Sequence, residues 1–152
     1  MRSVKPIIAS DPSLKSMISI HQQYCQAHTP PGSGHAVSAK TLEDGEIHYW
    51  ALMEDEQVLG CAGFKMIGDG HGEIKSMHVL SEARGSGIGD ELLLALLGEA
   101  KRLGVHQLSL ETGKSEGFAA SRRLYEKHGF EHCGPFGAYK DDPFSYCMTR
   151  KL

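Results

Sequence analysis

Apolar positions along the chain change period several times, and each change marks an element. Val4 to Ala9 is a short apolar run that predicts a first strand. Asp11 and Pro12 then open a helix, with aspartate as N-cap and proline at the first helical position. Leu14, Met17, Ile18, His21, Tyr24 and Cys25 recur at helical spacing and give that helix one apolar face. Between His28 and His35 the run Pro30-Pro31-Gly32-Ser33-Gly34 breaks regular structure, and a short helical turn is expected near Ser38 to Leu42. Ile47 to Glu54 and Gln57 to Ile67 flank the polar pair Asp55-Glu56 and predict an antiparallel hairpin. After the turn Gly68 to Gly72, Glu73 to Val79 continues the meander.

The period then lengthens. Ile88, Leu92, Leu93, Leu96, Leu97 and Ala100 line one face of a helix from Gly87 to Leu103, which Lys101, Arg102 and Gly104 bring to a stop. Gln107 to Thr112 predicts a strand, and Gly117 to His128 a helix that ends at Gly129. Two further strands are expected from Phe130 onward, the last near Ser145 to Thr149. The order is β-α-β-β-β-α-β-α-β-β, without internal repeats or a linker. It predicts a mixed α/β fold: a mostly antiparallel sheet of about seven strands flanked by about four helices.

At 152 residues, with 40% apolar and 23% charged positions, the chain is expected to form one soluble globular domain spanning residues 1–152. A net charge of −3 gives no nucleic-acid footprint. No stretch approaches a membrane span, and Met1 to Ile8 lacks the long apolar region of a signal peptide, so a cytoplasmic protein is expected. Cys25, Cys61, Cys133 and Cys147 include no C-x-x-C pair and suit reduced, mostly core-filling cysteines. Nine histidines are scattered. His128 and His132 stand four apart but are interrupted by Gly129 and lack an acidic partner, so no metal site is expected.

The chemistry concentrates in Arg84-Gly85-Ser86-Gly87-Ile88-Gly89, between a strand and the leucine-rich helix. A glycine-dense turn feeding a helix start bares backbone N–H groups that have no partner inside the helix, and the helix dipole adds positive potential there. That combination binds phosphate or pyrophosphate. Arg84 adds fixed charge at the rim. The P-loop pattern is absent, and the dinucleotide fingerprint fails because Asp90 stands where its third glycine belongs.

The segment instead matches R/Q-x-x-G-x-G/A through Arg84, Gly87 and Gly89, the acetyl-CoA signature of the Gcn5-related N-acetyltransferase (GNAT) family. Leu124-Tyr125-Glu126-Lys127-His128-Gly129-Phe130 resembles that family's L-Y-E-K-x-G-F. Gly60 to Phe64 resembles its third strand and Glu73 to Val79 its fourth, so the resemblance covers nearly the whole chain. Leu110 to Gly113 and Pro135 to Ser145 look like a narrower bacterial subgroup of the YsnE type.

The resemblance implies acetyl transfer from acetyl-CoA to a primary amine, by direct attack in a ternary complex and without a metal. It places the pyrophosphate on the amides of Arg84, Gly85, Ser86, Gly87, Ile88 and Gly89, and the pantetheine arm along the backbone of Met77, His78 and Val79 where the fourth and fifth strands splay apart. Tyr125 takes the role of the acid that donates a hydrogen bond or proton to the departing thiolate and also contacts the cofactor. Glu73 is the candidate general base, direct or through water, with Glu111 as runner-up. Period-2 alternation puts Glu73, Lys75, Met77 and Val79 on one strand face, where Lys75 would hold Glu73 ionised. The family's asparagine before the tyrosine is replaced around Phe118 and Ala119, leaving Ser115 or Ser121 as substitutes. Cys61 or Cys133 as a nucleophile has no motif histidine to support it.

Other features leave two readings each. His71 and His78 face the acceptor or are polar surface residues; Trp50 and Tyr49 pack the hairpin or line an acceptor pocket. Thr29 to His35 is a lid or a connector, and Tyr139, Asp142 and Ser145 line the acceptor site or hold a turn. Expected partners are a small-molecule or peptide amine, neither nucleic acid nor membrane, with a homodimer left open. The competing readings are a non-catalytic acyl-CoA-binding or sensor module on the same fold, and an enzyme that transfers a longer acyl group.

Overall fold

A computed structural model of the chain describes residues 1–31 and 47–152. The helical turn expected near Ser38 to Leu42, and the part of the Thr29 to His35 segment after residue 31, lie outside the described residues. Elements run β1 (Arg2–Ile7), α1 (Pro12–Ala27), β2 (His48–Glu54), β3 (Gln57–Gly68), β4 (His71–Val79), α2 (Ile88–Arg102), β5 (Gln107–Gly113), α3 (Ala119–Lys127), β6 (Glu131–Cys133) and β7 (Ser145–Lys151). Single 3-10 turns cover Ser81–Ala83 and Glu116–Phe118. The sequence order is the observed order. Three α-helices appear among the described residues against about four expected. The first strand sits two residues earlier than its apolar run, because Ile8 already accepts a turn hydrogen bond from the N–H of Asp11 at 3.1 Å.

The strands form one seven-stranded sheet in the order β1-β2-β3-β4-β5-β7-β6. Every neighbouring pair is antiparallel except β4 and β5. These two run parallel and pair only at His71↔Gln107, Gly72↔Leu108 and Glu73↔Ser109. Beyond that point β5 stays fully paired with β7, whereas the β5-side edge of β4 from Lys75 to Val79 has no strand beside it among the described residues. The sheet therefore opens into a V.

Each face carries its own core. On one side Leu92, Leu93, Leu96 and Ala100 of α2 are fully buried against Leu52, Ala62, Phe64, Leu108 and Leu110, with Trp50 stacked on Phe64 at 5.5 Å. On the other, Leu14, Met17 and Ile18 of α1 cover Tyr49, Ala51, Val58 and Cys61. Trp50 and Tyr49, adjacent on β2, thus pack on opposite faces, one in each core. Burying each large side chain contributes about 1.5–3 kcal/mol.

β4 departs from plain alternation. Its register with β3 goes from Gly63↔Lys75 to Cys61↔His78, so β4 carries one extra residue there. Ser76 at this bulge has φ 56°, a left-handed backbone that a serine adopts only at a cost. The extra residue reverses the faces. Ile74, Met77 and Val79 pack on the α2 side, while His78 meets His21 and Tyr24 of α1. The expectation that Glu73, Lys75, Met77 and Val79 share a face fails for this reason: Glu73 and Lys75 face the α1 side, Met77 and Val79 the other.

Leu92→Ala should destabilise the fold by about 2–5 kcal/mol, seen as a lower urea midpoint of Trp50 fluorescence at unchanged slope. A loss under about 1 kcal/mol would contradict the packing of α2 against the sheet.

Candidate functional site

A cavity of about 470 Å³ fills the V and opens to both sides of the sheet. Its α2-side wall comes from Gly85, Gly87, Ile88, Leu124 and Tyr125. Its α1-side wall comes from His21, Tyr24, Cys25, Lys75, Glu111 and Tyr139. Phe118 and Phe144 line it as well.

The glycine turn is built for close approach. Gly85 and Gly87 have φ of 83° and 82°, and a Cβ added at either would meet nothing within 4 Å. Gly87 is the N-cap of α2 in the left-handed conformation. Glu91 is the first residue of α2 whose N–H finds a carbonyl, that of Gly87 at 3.1 Å. Ahead of it, the N–H groups of Ile88, Gly89 and Asp90 have no backbone partner among the described residues. The carbonyl side of the turn is tied down instead. Both terminal nitrogens of Arg2 donate to the Ser86 carbonyl at 3.1 Å, and Arg2 pairs with Glu91 at 2.5 Å. Ser86 Oγ donates to the Ala83 carbonyl at 2.6 Å. Arg84 Nε donates to the Val79 carbonyl at 3.2 Å, with its guanidinium 5.0 Å from the Tyr24 ring centre. The amides at the head of α2, the Arg84 charge and an empty space of the right size fit a diphosphate.

α3 is clamped to this turn. Asp90 in the first turn of α2 accepts from His128 Nε2 at 2.8 Å and from Lys127 Nζ at 2.9 Å. These bonds, that of His128 first, hold the Asp90 carboxyl below its ordinary range. A Cβ on Gly89 would meet Leu124 at 3.2 Å, so the helices pack tightly here. The clamp sets Tyr125, 6% exposed, edge-on to Phe130 at 5.6 Å. Its hydroxyl has no hydrogen-bond partner among the described residues, and burial, with the neighbouring Cys25, pushes its ionisation well above the ordinary tyrosine range. Tyr125 is therefore a neutral phenol in the cavity wall.

Glu73 is 4% exposed and lies behind that wall. Tyr139 Oη donates to its carboxylate at 2.5 Å and Lys75 Nζ at 3.2 Å, and Lys75 also donates to Tyr139 Oη at 3.1 Å. Burial and the Glu73 charge push the Tyr139 hydroxyl far up. Glu111, two residues beyond the last β4–β5 pair, is half-buried in the cavity wall and accepts from Ser145 Oγ at 2.8 Å. Asp142 Oδ1 accepts from the Phe144 N–H at 2.9 Å, so among the subgroup residues it holds a turn while Tyr139 and Ser145 reach the cavity network.

The α1 wall holds a constellation that local patterning did not reveal. His21 and His78 meet Nδ1 to Nδ1 at 2.9 Å, one donating to the other, and Cys25 Sγ lies 3.6 Å from His21 Nε2. Burial, then the mutual repulsion with His78, lowers His21 to about 3; burial, then Arg84, lowers His78 to about 4. Both imidazoles are neutral at physiological pH. The signal was present in the helical spacing of His21, Tyr24 and Cys25, but their partner His78 comes from a distant strand. Of the two serine substitutes, Ser115 donates to the His28 carbonyl at 2.8 Å, while Ser121 lines the cavity. His128 is spent on Asp90, His132 stacks on Tyr146 at 4.5 Å, and His71 meets Ser109 Oγ at 2.7 Å. No metal-binding group of histidine, cysteine and carboxylate side chains occurs among the described residues. No helix is long and apolar enough to cross a membrane.

Known proteins share this architecture and sequence. Residues 14–130 match the acetyltransferase (GNAT) family. The chain is 37% identical over 137 residues to the uncharacterized N-acetyltransferase YsnE of Bacillus subtilis, covering 90% of this chain and 91% of YsnE. Its fold superposes with a TM-score of 0.83 on a Klebsiella pneumoniae protein described as an acyl-CoA N-acyltransferase, at 24% identity over 100% of this chain and 98% of that one. A TM-score of 0.73 relates it to the PaiA N-acetyltransferase of Thermoplasma acidophilum in complex with coenzyme A, at 16% identity over 100% and 99% of the two chains. With the matched segment running from α1 through the glycine turn to the end of α3, this chain belongs to the acetyltransferase (GNAT) family.

Proposed function

We propose that the enzyme moves an acetyl group from acetyl-CoA to a primary amine by direct attack in a ternary complex. One observation carries this reading: unpartnered amides at the head of α2 open onto the same cavity as the Tyr125 hydroxyl and the Glu111 carboxylate. A solved structure of the same fold, the PaiA N-acetyltransferase, is a complex with coenzyme A. Acetyl-CoA supplies an activated thioester carbonyl when bound.

The chain's own residues divide the remaining work. The amides of Gly85 to Gly89, with Arg84 beside them, hold the diphosphate. The edge of β4 at Met77, His78 and Val79, left without a β5 partner, accepts the pantetheine arm as an added strand would be accepted, beside the Val79 carbonyl that Arg84 holds. An N–H of that edge near Val79 stabilises the developing oxyanion. Tyr125 donates its proton to the leaving sulfur, which its neutral state permits.

The amine must lose a proton to attack. Glu73 does not line the cavity, and Tyr139 and Lys75, which do, both donate to its Oε2. Glu111 lines the cavity itself, so we assign it the proton from the amine, with Glu73 holding Lys75 and Tyr139 in place.

Gly87→Glu should weaken coenzyme A binding at least tenfold, about 1.4 kcal/mol, because a carboxylate then fills the diphosphate space; unchanged calorimetric affinity would remove the cradle. Tyr125→Phe should lower kcat by about 10²-fold or more with acetyl-CoA affinity nearly intact, and an unaltered rate would reduce the tyrosine to packing. Since the hydroxyl ionises above its usual value, wild-type kcat should show no descending limb near pH 10. A limb there that Tyr125→Phe abolishes would contradict the buried phenol. Tight binding of acetyl-CoA without thiol release across a broad amine panel would favour a sensor module over the enzyme.

A further inference from the structure

Lys75 projects a buried ammonium into the α1-side wall of the cavity, its side chain only 14% exposed. An ammonium has three N–H donors. Two are accounted for, by Glu73 Oε2 at 3.2 Å and Tyr139 Oη at 3.1 Å. The third has no protein acceptor among the described residues. Lys75 lines the cavity, so this donor is open to what enters it.

The surroundings say what that is. Glu73 pairs with Lys75 and offsets its charge. Glu111 is the other carboxylate of this wall, and the Arg84 guanidinium over Tyr24 is its other cation, so the acceptor half presents both signs of charge to what enters. Tyr139 lies between these groups, its hydroxyl feeling both carboxylates. A plain amine would meet Glu111 and make no use of the third N–H of Lys75. A molecule with a carboxylate close to its amine meets both side chains.

We propose that the acceptor carries a carboxylate beside its amine, an α-amino acid or a small molecule with the same pair of groups, and that Lys75 reads the carboxylate. This deepens the acetyl-transfer reading and rests on it. Lys75 determines specificity here; the amine proton still goes to Glu111. Glu73 and Tyr139 act through Lys75 by holding its head group at the cavity wall.

The test compares matched acceptors on the wild-type enzyme: a set of amino acids, their amides and the corresponding decarboxylated amines, by thiol release from acetyl-CoA. The amino acids should exceed the amides and amines in kcat/KM by tenfold or more, mainly through KM. Lys75→Met should bring that ratio close to one, and Lys75→Arg should restore part of it. Equal kcat/KM for acids, amides and amines on the wild-type enzyme would overturn the proposal without needing any variant to fold. So would a Lys75→Met enzyme that weakens all three classes alike. Failure to acetylate any amine, with acetyl-CoA still bound, would instead overturn the transfer reading and this proposal with it.

Discussion

The pairing of β4 with β5 stops after three residue pairs, and the cavity exists because it stops there. A sheet that continued would close over the space now lined by Lys75, Glu111 and Tyr125. Two features hold the strands apart. β5 is committed to β7 along its whole length, and β4 bends at the bulge where Ser76 takes a left-handed backbone. The edge released from pairing with β5 is the kind of edge to which an extended ligand adds as a strand, although Arg84 already holds its Val79 carbonyl. Strain in a non-glycine residue at such a place is consistent with its standing at a site of function.

The same bulge sorts the chemistry. By reversing the alternation of β4 it sends Met77 and Val79 toward α2 and the glycine turn, and leaves Glu73, Lys75 and His78 on the side of α1. In the proposed reaction the cavity through the V then has a donor half and an acceptor half. The donor half presents amides and a neutral phenol. The acceptor half presents carboxylates, an ammonium and a pair of neutral imidazoles. Acyl transfer needs unlike environments on the two sides of one carbonyl, and a single inserted residue provides them.

Contacts around the cavity make the site rigid. Arg2, on the edge strand, holds the Ser86 carbonyl and Glu91, so the turn keeps its amides toward the open side. Asp90 clamps the C-terminal end of α3 and thereby fixes Tyr125 against the start of α2. Gly89 lets those two helices approach. Positioning of this kind keeps donors aimed where charge develops, which is the larger part of what such a site contributes.

Local pattern carried most of the fold. Apolar periodicity, the Asp11-Pro12 cap and the glycine turns marked ten elements in their observed order, because each signal lies within a few neighbouring residues. The glycine turn proposed to hold the diphosphate was legible for the same reason: Arg84 to Gly89 is contiguous, and its backbone geometry follows from glycine and a helix start. Plain alternation failed on β4 because nothing in Lys75-Ser76-Met77 announces an extra residue relative to β3; a bulge belongs to a pair of strands. The partners of Glu73, the meeting of His21 with His78 and the clamp of Asp90 on His128 join residues far apart in sequence. The chain alone determined which backbone could receive a phosphate and where its helices and strands begin. Folding in three dimensions decided which face each side chain meets and which carboxylate reaches the cavity, since those depend on register and on contacts that no local window contains.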